Sequence, residues 1–167
     1  TDTDDGVQVM TEAFAEFRAD VDALLRLAKG LSSEDPKFSK FAKVVLDKQA
    51  LPNNKLLVFS TFRHTLAYLV DKLQSESIRI GLIHGDVPEE ERRELRNRFS
   101  RPKDDPRAID LLLSSEVGCE GLDYQFCDGI VNYDLPWNPM RVEQRIGRVD
   151  RYGQKSETVA IFNFITP

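Results

Sequence analysis

At 167 residues, with 41% hydrophobic and 31% charged side chains, the chain is long enough to bury one proper core and has the make-up of an ordinary globular domain. Its net charge of −5 argues against a surface that grips nucleic acid everywhere, yet Lys and Arg crowd into residues 92–107 and 141–155, so a local basic groove remains open. No stretch approaches a membrane span, no signal peptide is visible, and Cys119 and Cys127 show neither a disulfide framework nor zinc spacing; these features predict no membrane attachment, no metal site and a reducing, cytoplasmic setting.

The opening Thr1-Asp2-Thr3-Asp4-Asp5 reads as the cut end of something longer. Residues 7–29 predict a helix, because Phe14, Phe17, Val21, Leu24, Leu25 and Ala28 recur at helical spacing and Gly30 suits the position after its end. Asp35 and Pro36 read as the cap and first turn of a second helix carrying Phe38, Phe41 and Val45. Residues 1–50 are thus expected to be a helical extension or linker packed on a core formed by 51–167.

After the Pro52-Asn53-Asn54 turn the pattern alternates. Residues 56–60 are a short apolar run of the kind found in buried parallel strands. Leu66, Leu69, Val70 and Leu73 mark a helix, residues 78–84 a strand, and Pro88 with Glu89, Glu90 and Glu91 the first turn of another helix. Residues 109–113, 129–133 and 159–165 predict further strands, and 102–106 a mobile loop. Strands alternating with helices predict an α/β fold, a parallel sheet covered on both faces. In such sheets ligands bind at the carboxyl ends of the strands. Ser60-Thr61-Phe62, His84-Gly85-Asp86 and Ser114-Ser115-Glu116 all fall there. Phe62 is expected in the core.

The most informative run is Gln144-Arg145-Ile146-Gly147-Arg148-Val149-Asp150-Arg151-Tyr152-Gly153-Gln154. Written as a helix, Val142, Ile146 and Val149 form an apolar stripe, and Gln144, Arg148 and Arg151 a second stripe on the other side. An ordinary solvated face would interleave carboxylates, whereas this one carries two guanidiniums and an amide. Two planar, permanently charged forks side by side suit a phosphate chain. Before it, Asn138 and Pro139 read as cap and first helical position, and Trp137 braces the helix or faces a partner. Upstream, Glu120-Gly121-Leu122-Asp123 follows the 109–113 strand; a glycine allows close backbone approach and a carboxylate two residues on can accept from a ribose hydroxyl, although a turn with a solvated Asp explains it equally well.

The run resembles motif VI of superfamily-two helicases and translocases, and its Gly153-Gln154 tail resembles the Swi/Snf branch, in particular the bacterial RNA-polymerase-associated ATPases. Residues 115–123 with Gly118 resemble motif V, residues 57–65 motif IV, and His84-Gly85 with Arg92 a segment that grips the nucleic-acid strand. The resemblance implies a RecA-like three-layer domain. Arg148 and Arg151 would be arginine fingers and Gln144 a nucleotide sensor. Gly121, Asp123 and Arg145 would contact nucleotide. Ser60, Thr61, His84, Gly85, Arg92, Ser115 and Glu116 would face nucleic acid, with double-stranded DNA the expected kind. The sequence holds no phosphate-cradling loop of the Gly-x-x-x-x-Gly-Lys-Ser/Thr type and no magnesium-binding Asp-Glu pair. The resemblance therefore implies half of a motor. A first RecA-like domain of the same parent polypeptide would bind most of ATP and Mg2+, the isolated chain would hydrolyse no ATP, and the setting would be cytoplasmic and nucleoid-associated, within a larger complex. A non-catalytic RecA-like module that binds protein or RNA, or half of an RNA helicase, stays open beside this reading.

Overall fold

The structure, a computed structural model, describes residues 2–30 and 35–165. In chain order it contains α1 (Asp2–Lys29), α2 (Pro36–Gln49), β1 (Leu56–Phe59), α3 (Arg63–Leu73), β2 (Ile80–Ile83) and α4 (Glu89–Phe99). These are followed by β3 (Leu111–Ser114), a 3-10 turn (Val117–Cys119), β4 (Gly129–Asn132), α5 (Pro139–Ile146) and β5 (Ala160–Asn163). Thr1, the first residue of the expected cut end, lies outside the described residues.

The five strands form one parallel sheet in the order β2-β3-β1-β4-β5. The central strands are buried on both faces, which is why they read as unbroken apolar runs. The period of two still sorts them. Leu56, Val58, Leu111, Leu113 and Val131 join Phe41 and Val45 of α2 and Leu66, Leu69 and Leu73 of α3 in one core cluster. Leu57, Phe59, Leu112 and Ile130 join Phe99 of α4, Tyr124 and Val149 in a second. The expected three-layer α/β sandwich is present.

The domain boundary differs from the expectation. The chain divides into two compact units between Asp35 and Pro36, and α2 belongs with the sheet. Phe41 and Val45 have no exposed surface, and Phe41 packs edge-on against Tyr133 with ring centroids 5.3 Å apart. Lys48, at the end of α2, is buried and donates to Asp128 at 2.5 Å, just ahead of β4. A boundary at residue 50 would cut through this core. Taken by itself, α1 is one long helix whose Phe14, Phe17, Val21 and Leu24 are exposed.

The 102–106 loop, expected to be mobile, is tied down. The Arg79 guanidinium donates to the carbonyls of Asp105 (2.5 Å) and Lys103 (2.8 Å) while pairing with the buried Asp110 at 2.6 Å. Arg101 pairs with Asp105 from the other side at 2.8 Å. Burial pushes the Asp110 carboxyl up, but hydrogen bonds from Arg79 and Asn54 outweigh it and hold that carboxyl below its ordinary value. This network lies at the amino ends of the strands, away from the residues discussed next.

Candidate functional site

Helix α5 starts as its sequence dictates. The Asn138 side chain accepts the Met140 N–H at 3.0 Å, and Pro139 occupies the first turn, where its missing N–H costs nothing. The helix ends at Ile146, so the expected continuous helix through residue 154 is not formed. Gly147 closes it, and residues 147–153 continue as turns in which the Arg148 and Val149 amides bond three residues back. The apolar stripe survives this change: Val149 is fully buried, and Val142 and Ile146 are half-buried. Gln144 and Arg151 stay exposed and Arg148 half-buried. Two faces therefore exist, but they are built from one helix plus a turn.

Arg145 is the largest departure from the expectation. It is only 2% exposed, and its guanidinium is committed inside the domain. One terminal nitrogen donates to Asn132 Oδ1 (2.9 Å) and to the Asp134 carbonyl (3.0 Å), and the other to Glu116 Oε1 (2.7 Å). Its Cζ lies 5.2 Å from the Phe59 ring centre. So placed, it clamps α5 to the ends of β1 and β4 and leaves a nucleotide little exposed surface to contact. Glu116, expected to face nucleic acid, is the other half of that clamp, since its second oxygen accepts from Arg141.

Ser60 and Ser115 are likewise internal. The Ser60 hydroxyl has no exposed surface and donates to Asp134, whose other oxygen accepts the Thr61 N–H at 2.9 Å. Ser115 Oγ accepts the Gly118 N–H at 3.2 Å. Both shape the loops at the strand ends. Thr61 and Gly85 are exposed, and so is Phe62, at 63%, against its expected place in the core. His84 is half-buried, with Nδ1 3.4 Å from Arg63 Nη2 and 3.3 Å from the Asp86 N–H, beside an exposed Arg63–Asp86 ion pair. Arg92 is half-buried and points its Nη1 at the Val117 carbonyl, 3.4 Å away.

Around the Val117–Cys119 turn the backbone geometry is demanding. A Cβ on Gly118 would fall 2.8 Å from the Ile83 carbonyl oxygen, so only glycine lets this turn lie against β2. Gly121 has φ of +74° with open space beside it. Asp123 then pairs with Arg151, the second expected finger, and its carbonyl accepts from Arg96 Nε at 2.8 Å. The Tyr124 N–H donates to the Arg148 carbonyl at 2.7 Å and ties this loop to the turn after α5. Burial raises the Cys119 thiol and pushes Cys127 up to about 12; both are free, packed side chains as expected.

A cleft of about 390 Å3 opens at this edge. Gln144, Arg148, Arg141, Glu116 and Asn138 line it, with Arg145 and Phe59 at its floor. Arg141 and Asn132, and the roles of Asp134 and Arg96, escaped the sequence reading. Asp134 could have been found as the polar residue that closes a strand end; the others carry no local signal. Trp137 is fully exposed, so it does not brace α5. Among the described residues no group of three or more His, Cys, Asp or Glu side chains could hold a metal ion.

A parallel sheet whose carboxyl edge presents an arginine-bearing helix over a polar cleft defines a RecA-like domain of the helicase kind. The chain belongs to the family of the helicase conserved C-terminal domain, which matches residues 36–153. It is 40% identical to the ATP-dependent helicase YqhH of Bacillus subtilis (strain 168) over 120 residues, 68% of this chain and 19% of that one. It is 31% identical to the ATP-dependent RNA helicase FAL1 of Pyricularia oryzae over 136 residues, 81% of this chain and 31% of the relative. It is 33% identical to the RNA polymerase-associated protein RapA of Vibrio cholerae over 132 residues, 78% of this chain and 13% of the relative. The chain thus spans less than a third of each. The fold matches the C-terminal part of the Fun30 ATPase domain with a TM-score of 0.67 at 22% identity, over 91% of this chain and 49% of that one. Family membership places α2 inside the conserved domain, in agreement with its packing.

Proposed function

We propose that this chain is the second RecA-like domain of an ATP-dependent, Swi/Snf-like translocase acting on duplex DNA. The carrying observation is the cleft at the carboxyl edge, where Gln144 and Arg148 project beside Arg141 from α5 and the turn behind it. Arg148 fits a phosphate. It is half-buried and permanently charged, and among the described residues its guanidinium makes one hydrogen bond, a 3.5 Å contact to the Leu122 carbonyl. Bound ATP would bring to this cleft a phosphoryl group whose transfer develops charge. Arg148 would stabilise that charge, an effect worth about 10³–10⁵ in rate where such arginines have been removed. Gln144 would sense the phosphates. Arg151 and Asp123, paired with each other here, would separate before Arg151 serves as a second finger and Asp123 meets the ribose. The phosphate loop and the Mg2+ carboxylates would come from a first RecA-like domain of the parent polypeptide, and the isolated chain would be inactive. Thr61, Gly85 and Arg92 line the side that would face the nucleic-acid backbone.

The likeness to RNA helicases favours a second reading, in which RNA is the track. One experiment addresses both. ATP hydrolysis by the two-domain parent polypeptide is compared with its Arg148→Ala variant, with duplex DNA, single-stranded DNA, RNA and no nucleic acid. Loss of a duplex-stimulated rate by about three orders of magnitude supports the translocase. Stimulation by RNA alone moves the protein to the RNA helicases. Equal rates in wild type and variant refute the finger, and no wild-type turnover on any substrate leaves a binding module.

A further inference from the structure

We infer that Glu116 is a positioning residue for the phosphate-facing arginine: it acts through the Arg145 clamp to fix where Arg148 stands, and it touches neither nucleotide nor nucleic acid. The inference rests on the reading of Arg148 given above.

Glu116 stands on a fixed platform. It precedes the Val117–Cys119 turn, which is held against β2 by the close approach of Gly118 to Ile83 and by the Ser115 hydroxyl accepting the Gly118 N–H. The Ser115 N–H itself donates to the Ile83 carbonyl at 3.0 Å. From there the carboxylate spends both oxygens on α5, one on the buried Arg145 and one on the exposed Arg141. The other acceptors of Arg145 are an amide oxygen and a backbone carbonyl, so Glu116 is the carboxylate that balances this 2%-exposed cation. A buried guanidinium without its counter-charge is strongly disfavoured and moves to regain solvent.

Arg148 is tied to that cation. Its N–H bonds the Arg145 carbonyl at 3.1 Å, one turn on, and its own carbonyl accepts from Tyr124 in the loop that begins at Glu116. Next to it, Val149 is locked in the core. Arg148 is thus the half-buried residue between two buried anchors, and one of those anchors depends on Glu116. Each carboxylate oxygen already accepts from an arginine, and the group has no proton to donate to a phosphate backbone, which it would repel.

The test uses the two-domain parent polypeptide with Glu116→Gln, Glu116→Asp, Arg148→Ala and the double variant Glu116→Gln/Arg148→Ala. ATPase kcat and KM, duplex affinity at two salt concentrations and thermal midpoints are measured below the unfolding range. Glu116→Gln is expected to lower kcat by about 5- to 100-fold, well inside the range of couplings between contacting residues, with KM for ATP and duplex affinity within about two-fold of wild type. In the Arg148→Ala background, at enzyme concentrations that resolve the residual rate, it should lower kcat no further. Should Glu116→Gln fail to fold, Glu116→Asp carries the same test. It keeps the charge and, one methylene shorter, cannot span both arginines, so kcat falls while KM holds. A folded Glu116 variant with wild-type kcat, where Arg148→Ala abolishes turnover, overturns this inference alone. Weaker duplex binding with an altered salt dependence and unchanged kcat overturns it in favour of direct contact. An equal further loss in the Arg148→Ala background also overturns it. If Arg148→Ala retains full turnover, the finger reading and this inference fall together.

Discussion

Replacing Arg145 with methionine separates a structural clamp from a nucleotide contact. Methionine keeps an unbranched apolar stem under α5 and removes the guanidinium. The structure assigns that group three hydrogen bonds, at 2.7, 2.9 and 3.0 Å, and a place over the Phe59 ring. Hydrogen bonds to charged groups contribute about 1.5–3 kcal/mol each, and removing one partner of a buried pair costs about 3–5 kcal/mol in all. Glu116 keeps Arg141 and stays partly solvated, but Asn132, with no exposed surface, is left with an unpaired Oδ1, so the whole range applies. About 3–5 kcal/mol is therefore expected, and at roughly 2–4 °C per kcal/mol for a chain of this size the midpoint should drop by about 6–20 °C. Urea unfolding followed by far-ultraviolet circular dichroism is the suitable assay, since the single tryptophan, Trp137, is already fully exposed and reports little. Arg145→Lys should lose about half as much, because an ammonium reaches one acceptor where the fork reaches three. If Arg145→Met unfolds within about 0.5 kcal/mol of wild type, the size of an ordinary surface change, the clamp is wrong and a direct nucleotide role returns.

Three further outcomes are expected. Phe41→Ala should cost about 3–5 kcal/mol in urea unfolding, the usual range for emptying a buried aromatic site, and a loss below about 1 kcal/mol would return α2 to the status of a detachable linker. Asp110→Asn should destabilise the chain at pH 7 by about 1–3 kcal/mol, since Arg79 and Asn54 lose a charged partner. Because the folded Asp110 carboxyl is held low, its contribution is present above the unfolded value and lost as pH falls through the folded one. Urea midpoints of wild type and variant should therefore converge on acidification below about pH 4, and a constant gap would show that Asp110 is not held low. Trp137→Ala should leave the unfolding midpoint within about 0.5 kcal/mol of wild type; a larger loss would mean that the indole does brace α5.

The fold was legible because its signals are local. Each strand announced itself as an apolar run, and Asn138-Pro139 set the start of α5 through backbone chemistry that involves only neighbours. The boundary at residue 35 was not legible, because what recruits α2 is the meeting of Phe41 with Tyr133 and of Lys48 with Asp128, contacts between residues some 80–92 positions apart. The end of α5 was hidden for a similar reason. Periodicity runs on through Val149, but the amides of Arg148 and Val149 bond three residues back, and Tyr124 draws the Arg148 carbonyl out of a helical bond. In the site, residue types were read well and roles less well. A run of arginines announces affinity for anions without saying which anion, and here several of the anions are the protein's own carboxylates.

That internal neutralisation narrows the choice among the arginines. Arg141 and Arg145 share Glu116, Arg151 is paired with Asp123, and Arg93 with Glu89. Arg96 is spent on the Asp123 carbonyl and on the Phe126 ring. Arg92 and Arg148 each reach only a neutral carbonyl among the described residues, and of these two it is Arg148 that lines the cleft. The backbone of Arg148 is fixed at both ends, while its guanidinium makes, among the described residues, a single 3.5 Å contact to a neutral carbonyl at the wall of the cleft. A cation that is rigidly carried, partly desolvated and without a carboxylate partner is poised for charge supplied from outside, because it need not break an existing pair or reorganise before it acts. Arg151 must first leave Asp123. The two expected fingers are therefore unequal in this structure, with Arg148 preorganised and Arg151 conditional. Removal of Arg148 should then abolish the chemical step, and removal of Arg151 should weaken it together with whatever signals that the cleft has closed.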